Sequence, residues 1–287
     1  MSLLAELNDL FVKYRIRPKK KLGQHFTIRE EVIKELVELA ELKSDDKVIE
    51  IGAGTGFLTR ELASKCIVYA VECDEELCEL LREELKGLNA FILCGDFLKL
   101  SLPEFNKIVS IPPYGISKKI MLKILKYNFE CAIMVFQEEF AEKLTALPGF
   151  PSYSAITVFT QYKADIELKA KVSASSFFPK PKSDSVIVKI TPLKKKTFLE
   201  DESLFYRFVA EIFRYRKKNL RNALMCGESF LISNFGLNYE KIERLLNGFD
   251  LDEKVDLTEV QTFLEMFKTI FYSCSQKQVL KKVRKKQ

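Results

Sequence analysis

Residues 48–57 read V-I-E-I-G-A-G-T-G-F, so Gly52, Gly54 and Gly56 follow directly on a short apolar run. Glycines at such a turn let the backbone reverse tightly and come close to a ligand. Residues 57–65 continue at helical spacing, and a second apolar run, 67–71, ends on Glu72, twenty residues beyond Gly52. Strand, glycine turn, helix, strand and acid make a half-Rossmann nucleoside site, in which the acid takes the ribose hydroxyls. A dinucleotide fold spaces its glycines G-x-G-x-x-G. Here that third place is Phe57, the third glycine comes one residue early, and Glu50 stands two residues before the first.

Four further groups fall after the predicted strands or ahead of the first helix. Asp96, after Gly95, offers an acceptor for the exocyclic amine of a bound adenine. Ile111-Pro112-Pro113-Tyr114 ends the next strand. The segment resembles the motif by which amino-group methyltransferases hold their target, where acceptors are needed because an adenine amine is a poor nucleophile until its N–H groups are held and its lone pair localised. The Pro112 carbonyl is one such acceptor, the Ile111 side chain has none, and Tyr114 can stack on a flipped base. Phe177, in F-F-P-K-P-K, can close over the base from the other side. The loop K-L-G-Q-H-F-T, with His25 and Thr27, can lie across a cofactor.

E-x-G-x-G with a later acid resembles motif I of the S-adenosylmethionine (SAM) methyltransferases. The ordered set K-L-G-Q-H-F, E-I-G-A-G-T-G, V-E-C-D, G-D-F, P-P-Y-G-I-S, S-S-F-F-P-K-P-K-S-D-S and F-R-Y-R-K-K-N-L-R-N-A-L, over about residues 18 to 225, resembles the ribosomal RNA adenine N6,N6-dimethyltransferases. The pattern is nearest the small-subunit, kasugamycin-resistance type and is archaeal-like. The resemblance implies an enzyme of ribosome biogenesis, with SAM contacts at His25, Thr27, Gly52, Gly54, Glu72 and Asp96. It implies catalytic positions at Ile111, Pro112, Tyr114 and Phe177, and RNA contacts at Lys19, Lys20, Lys21, Arg216, Lys217, Lys218 and Arg221. The chain departs from the family's G-Q-N-F-L at His25 and Thr27, and from its N-L-P-Y at Ile111. That last departure keeps open a catalytically weakened member acting as an RNA-binding assembly factor. A large-subunit adenine methyltransferase is the other alternative.

Positioning these groups calls for alternating elements. Strands are expected at 48–51, 67–71, 91–94, 108–111, 131–136, 155–162 and 186–191, with helices at 30–41, 57–65, 75–86, 117–127 and 137–145. Such alternation predicts an α/β, Rossmann-like fold whose mainly parallel sheet closes on an antiparallel edge hairpin. Residues 193–197 read as a linker, and helices at 198–213, 217–225, 239–246 and 257–271 follow. The expected organisation is a basic lead-in (1–27), a methyltransferase domain (28–195) and a small helical RNA-binding domain with a basic tail (196–287).

The net charge of +6 is unevenly spread: 1–27 carry +4, 163–196 carry +6 and 277–287 carry +6, leaving −10 for the rest. Basic segments around an acidic body suit a polyanionic partner, here small-subunit ribosomal RNA. Seven scattered cysteines without a C-x-x-C pair, and one histidine, argue for buried free thiols, a cytoplasmic location and no metal. No apolar run is long enough to cross a membrane, the start lacks the basic stretch of a signal peptide, and a monomer is expected.

Overall fold

The computed structural model describes the backbone of residues 2–194 and 199–284, and side chains up to Cys274. The expected linker at 193–197 and the side chains of the basic tail therefore fall largely outside the described residues. The chain divides into two units, Met1–Ala141 with Ala164–Leu193, and Glu142–Lys163 with Lys194–Gln287.

The first unit opens with α1 (Leu3–Lys13), β1 (Phe26–Thr27) and α2 (Glu30–Leu39). The alternating core follows as β2 (Lys47–Ile51), α3 (Phe57–Ala63), β3 (Ile67–Glu72), α4 (Glu75–Glu84), β4 (Ala90–Cys94), β5 (Lys107–Ser110), α5 (Ser117–Ile124) and β6 (Cys131–Gln137). α6 (Glu138–Thr145) and α7 (Ala155–Lys163) come next. β7 (Ala164–Val172), β8 (Phe177–Phe178) and β9 (Ser185–Pro192) complete the strands. One sheet runs in the order β4-β3-β2-β5-β6-β9-β7. The first five strands are parallel, and β9 is antiparallel to both β6 and β7. Strand order reverses between β2 and β5, which opens a crevice beyond their C-terminal ends. Val48, Ile49, Glu50 and Ile51 are all buried, as a parallel strand covered on both faces requires. β1 pairs with β8 as a separate ribbon, with Phe26 opposite Phe178 and Thr27 opposite Phe177.

The fold class is as expected, and one strand is misplaced. Residues 155–162 are helical, and the edge strand is β7, beginning at Ala164. Ile156, Val158, Phe159 and Tyr162 are β-branched or aromatic, which favoured a strand. Burial on every side from Ala155 to Thr160 leaves no amphipathic period to reveal the helix. β7 itself, A-D-I-E-L-K-A-K-V, alternates apolar and charged residues, as an exposed edge strand should.

The second unit contains α7, α8 (Glu202–Phe213), α9 (Leu220–Cys226), α10 (Glu228–Phe235), α11 (Tyr239–Leu245) and α12 (Val260–Arg284). Its core is aromatic, with Phe267 packed against both Phe205 and Phe208 at ring distances of 5.3 and 5.8 Å. The cysteine expectation is also corrected. Cys78 on α4 and Cys94 at the end of β4 form a disulfide, and Cys73 and Cys226 are exposed rather than buried. Their sixteen-residue separation has no motif, so only the α4–β4 packing brings the two together.

Candidate active site

The crevice at the reversal point holds an open cavity walled by the glycine turn, the ends of β3 and β4, and the segment after β5. β2 delivers the glycine turn to it. Gly52 has φ 79° and Gly54 φ 59°; a Cβ on Gly52 would stand 3.0 Å from Pro113, and one on Gly54 3.2 Å from the Phe26 ring. Both conformation and space therefore demand glycine. The N–H groups of Gly52 and Ala53 donate to the Val71 carbonyl, which ties the turn to β3.

β3 ends in Glu72, which is 5% exposed. Its carboxylate accepts three backbone N–H groups, from Gly54 at 2.9 Å, Cys73 at 2.8 Å and Asp74 at 3.0 Å. Burial pushes its pKa up, and the three donors hold it back. Two residues on, Asp74 accepts Lys19 Nζ at 2.6 Å and Gln24 Nε2 at 2.8 Å, while Gln24 Oε1 accepts the Lys19 N–H. Burial acts upward on Asp74, but these bonds outweigh it and lower its pKa. This clamp fixes the K-L-G-Q-H-F loop over the β3 end. The sequence reading assigned no role to Gln24 or Asp74; the V-E-C-D run was the available signal. Asp96 follows β4, half-exposed on the cavity wall, with Oδ1 accepting the Leu98 N–H.

Across the crevice, β5 stops at Ser110, so Ile111 lies just past the strand and lines the cavity with Pro112, Pro113 and Tyr114. The Ser110 hydroxyl is committed to β2: it donates to the Ile51 carbonyl at 2.7 Å and accepts the Ile51 N–H at 3.2 Å. It is not available to replace an amide at position 111. Tyr114 hydrogen-bonds Ser185 at 2.8 Å, meets Phe177 edge-on at 6.3 Å, and lies nearly parallel to the His25 ring at 5.8 Å. Burial pushes its phenol up to about 12. Phe177 is 2% exposed, and the neighbouring Phe178 is the more open ring at 39%.

A smaller cavity adjoins the first, sharing His25, Phe26, Gly52, Gly54 and Ile111 on its wall and adding Thr27, Glu50 and Thr55. Thr27 Oγ1 and Glu50 Oε2 are buried there without a hydrogen-bond partner among the described residues. Burial pushes the Glu50 carboxyl up to about 8, helped by the nearby Glu72 charge.

Of the ten expected cofactor and catalytic positions, eight line the main cavity, Thr27 lines the smaller one, and Phe177 is buried edge-on against Tyr114 outside both walls. The expected RNA contacts are more dispersed. Lys19 is held by Asp74 and Glu76, whereas Lys20 and Lys21 are exposed. In the helical unit Arg216 donates to the Pro151 carbonyl and, like Lys217, pairs with Asp256. Arg221 pairs with Glu243 and Asp252, and Lys218 lies over the Tyr215 ring. Most of this basic run is therefore knitted into its own unit. Among the described residues no helix is long and apolar enough to cross a membrane, and no cluster of metal-ligating side chains occurs.

Residues 15–270 match a family model described as ribosomal RNA adenine dimethylase. A protein of Pyrococcus abyssi named probable ribosomal RNA small subunit methyltransferase A is 43% identical over 75% of this chain and 78% of its own length. One of the same name from Thermococcus sibiricus is 40% identical over 77% and 81%. Among solved structures, a dimethyladenosine transferase from Plasmodium falciparum is 26% identical with TM-score 0.77, over 86% of this chain and 98% of its own. The 23S rRNA methyltransferase ErmE is 30% identical with TM-score 0.61, over 85% and 99%.

Proposed function

Because this chain belongs to the ribosomal RNA adenine dimethylase family, we propose that it methylates N6 of adenine twice in small-subunit ribosomal RNA, using SAM. The observation that carries the reading is the single crevice. The glycine turn and Glu72 stand on its wall together with Pro112 and Tyr114. A nucleoside cofactor fits the glycine turn and Glu72. Glu72 has about four acceptor sites, three of them engaged, so one ribose hydroxyl finds an open site and a second must displace a backbone donor. Asp96 suits an adenine amine. The unpartnered Thr27 hydroxyl and Glu50 Oε2 suit the polar amino-acid end, and a cationic ammonium there would draw Glu50 into its charged form.

SAM supplies an activated methyl carbon on a positively charged sulfur. The protein's own part is to hold the target amine in line with it and keep water out, since correct placement alone removes a large share of such a barrier. Tyr114 supplies aromatic surface for the flipped adenine, with Phe177 packed edge-on against it, and the Pro112 carbonyl accepts one amine N–H. Lys20 and Lys21 are the exposed cations of the expected set beside the cavity loop, and they suit RNA phosphates. A cytoplasmic location follows from such a substrate.

The test is incubation with labelled SAM and small subunits lacking the modification, beside large subunits as a control. Label in small subunits alone supports the reading. Label in large subunits favours the large-subunit alternative. Tight subunit binding without transfer favours the assembly-factor alternative.

A further inference from the structure

Two acceptors are needed to hold both N–H bonds of an amine, and beside the Pro112 carbonyl the 110–114 segment offers no free side-chain acceptor. The Ile111 side chain has none, the Ser110 hydroxyl is spent on Ile51, and the Tyr114 hydroxyl is bonded to Ser185. We propose that His25 supplies the missing acceptor through Nε2, an inference that rests on the adenine-methylating function above.

The geometry fixes the tautomer. β1 and β8 pair Phe26 with Phe178, so the next residues outward, His25 and Pro179, are brought together. His25 Nδ1 lies 2.5 Å from the Pro179 carbonyl oxygen. A carbonyl has no proton to give, so Nδ1 carries the hydrogen and the neutral ring presents a lone pair at Nε2. Nε2 makes no hydrogen bond among the described residues. The ring is held almost parallel to Tyr114 at 5.8 Å, and it shares the walls of both cavities with Ile111. An acceptor is thus placed beside the aromatic surface offered to the base, next to the side chain that lacks one.

The same atom handles the proton. When the N6 lone pair has formed its bond to the methyl carbon and the carbon–sulfur pair has returned to sulfur, N6 carries a positive charge and one proton too many. That proton passes to Nε2, leaving a neutral methylated amine, and the imidazolium loses it to water. The ring is then neutral again for the second methyl.

The experiment compares wild type, His25→Ala, His25→Gln and His25→Ala/Ile111→Asn in single-turnover methylation of small subunits, with SAM affinity by calorimetry. His25→Ala should lower the rate by about a hundredfold or more, as loss of one oriented contact does, at least tenfold more than it weakens SAM binding. His25→Gln, which keeps an acceptor oxygen, should recover part of the loss. Ile111→Asn should raise the rate at least tenfold more in the His25→Ala background than in wild type. A wild-type rate in His25→Ala, affinity falling as far as the rate, or no rescue by Ile111→Asn would overturn the proposal. Wild type that transfers no methyl would instead overturn the function itself.

A second readout does not depend on turnover. The chain has one histidine, so labelled imidazole gives a single pair of ring-nitrogen signals. With S-adenosylhomocysteine bound, millimolar adenosine should move the Nε2 signal, and purine riboside, which lacks the amine, should not. An Nε2 signal that stays still with adenosine, or moves equally with both, contradicts the assignment.

Discussion

Glu72 could brace the turn, bind the cofactor, or do both, and Glu72→Gln separates these roles. The amide keeps the shape of the carboxylate and one of its oxygens. Placed toward Cys73 and Asp74, that oxygen keeps two of the three backbone bonds. The NH2 group then faces the Gly54 N–H, donor against donor, and the third bond is lost. One charge-assisted bond is worth about 1.5–3 kcal/mol. Against this, burial already disfavours the charge, as the raised pKa indicates, so a neutral group is easier to bury. The two effects oppose each other in folding, and the unfolding temperature should move by no more than about 2 °C, on the order of 1 kcal/mol. Cofactor binding has no such compensation, because a ribose hydroxyl loses a charged acceptor. Affinity should fall by about 1.5–3 kcal/mol, or roughly ten- to a hundredfold. Calorimetry with SAM, beside thermal unfolding of the unliganded protein, reads both. Affinity within threefold of wild type would refute the ribose role and leave Glu72 as a brace for Gly54. Glu72→Ala is the poorer probe, because it strands all three donors and confounds the two effects.

Three other outcomes follow from the geometry. Glu50 has its pKa raised from 4.5 to about 8 in the fold, so the unfolded chain releases that proton first, and stability is lost as pH rises between those values. Glu50→Gln should therefore leave the unfolding temperature unchanged at pH 4 and raise it above pH 8, by at most about 5 kcal/mol of stability. Lys20→Ala with Lys21→Ala should flatten the log–log salt dependence of RNA binding by about 1.5, the share of two phosphate contacts. Arg221→Ala, which breaks pairs with Glu243 and Asp252, should change that slope by less than half as much. Reducing the Cys78–Cys94 bond, which spans sixteen residues, should lower the unfolding free energy by up to about 3 kcal/mol, and Cys78→Ser should abolish the effect of reductant.

Much of this site was legible because its groups sit at strand ends, where local sequence announces them. The glycine turn, Glu72, Asp96 and Tyr114 each terminate an apolar run, and parallel order then brings those ends together. Side chains that act through partners distant in sequence were harder to read. Gln24 and Asp74 are fifty residues apart, and only the loop crossing the β3 end shows why both are needed. His25 read only as a loop contact to the cofactor, and it takes the β1–β8 ribbon to bring it beside Pro179 and Tyr114. The helix at 155–163 was misread because burial on all sides removes the period that distinguishes helix from strand. The basic run around Arg216 to Arg221 read as an RNA surface, but its acidic partners, Glu243, Asp252 and Asp256, arrive from later turns that charge counting does not locate.

The central claim is that one crevice transfers methyl groups to adenine N6 in small-subunit RNA. The most direct measurement is nucleoside mass analysis of small subunits lacking the modification, after incubation with the wild-type protein and deuterated-methyl SAM. N6,N6-dimethyladenosine carrying two labelled methyl groups should rise with time and be absent when SAM is withheld. Label on another nucleoside, or no labelled nucleoside while the protein binds both SAM and the subunit, would contradict it.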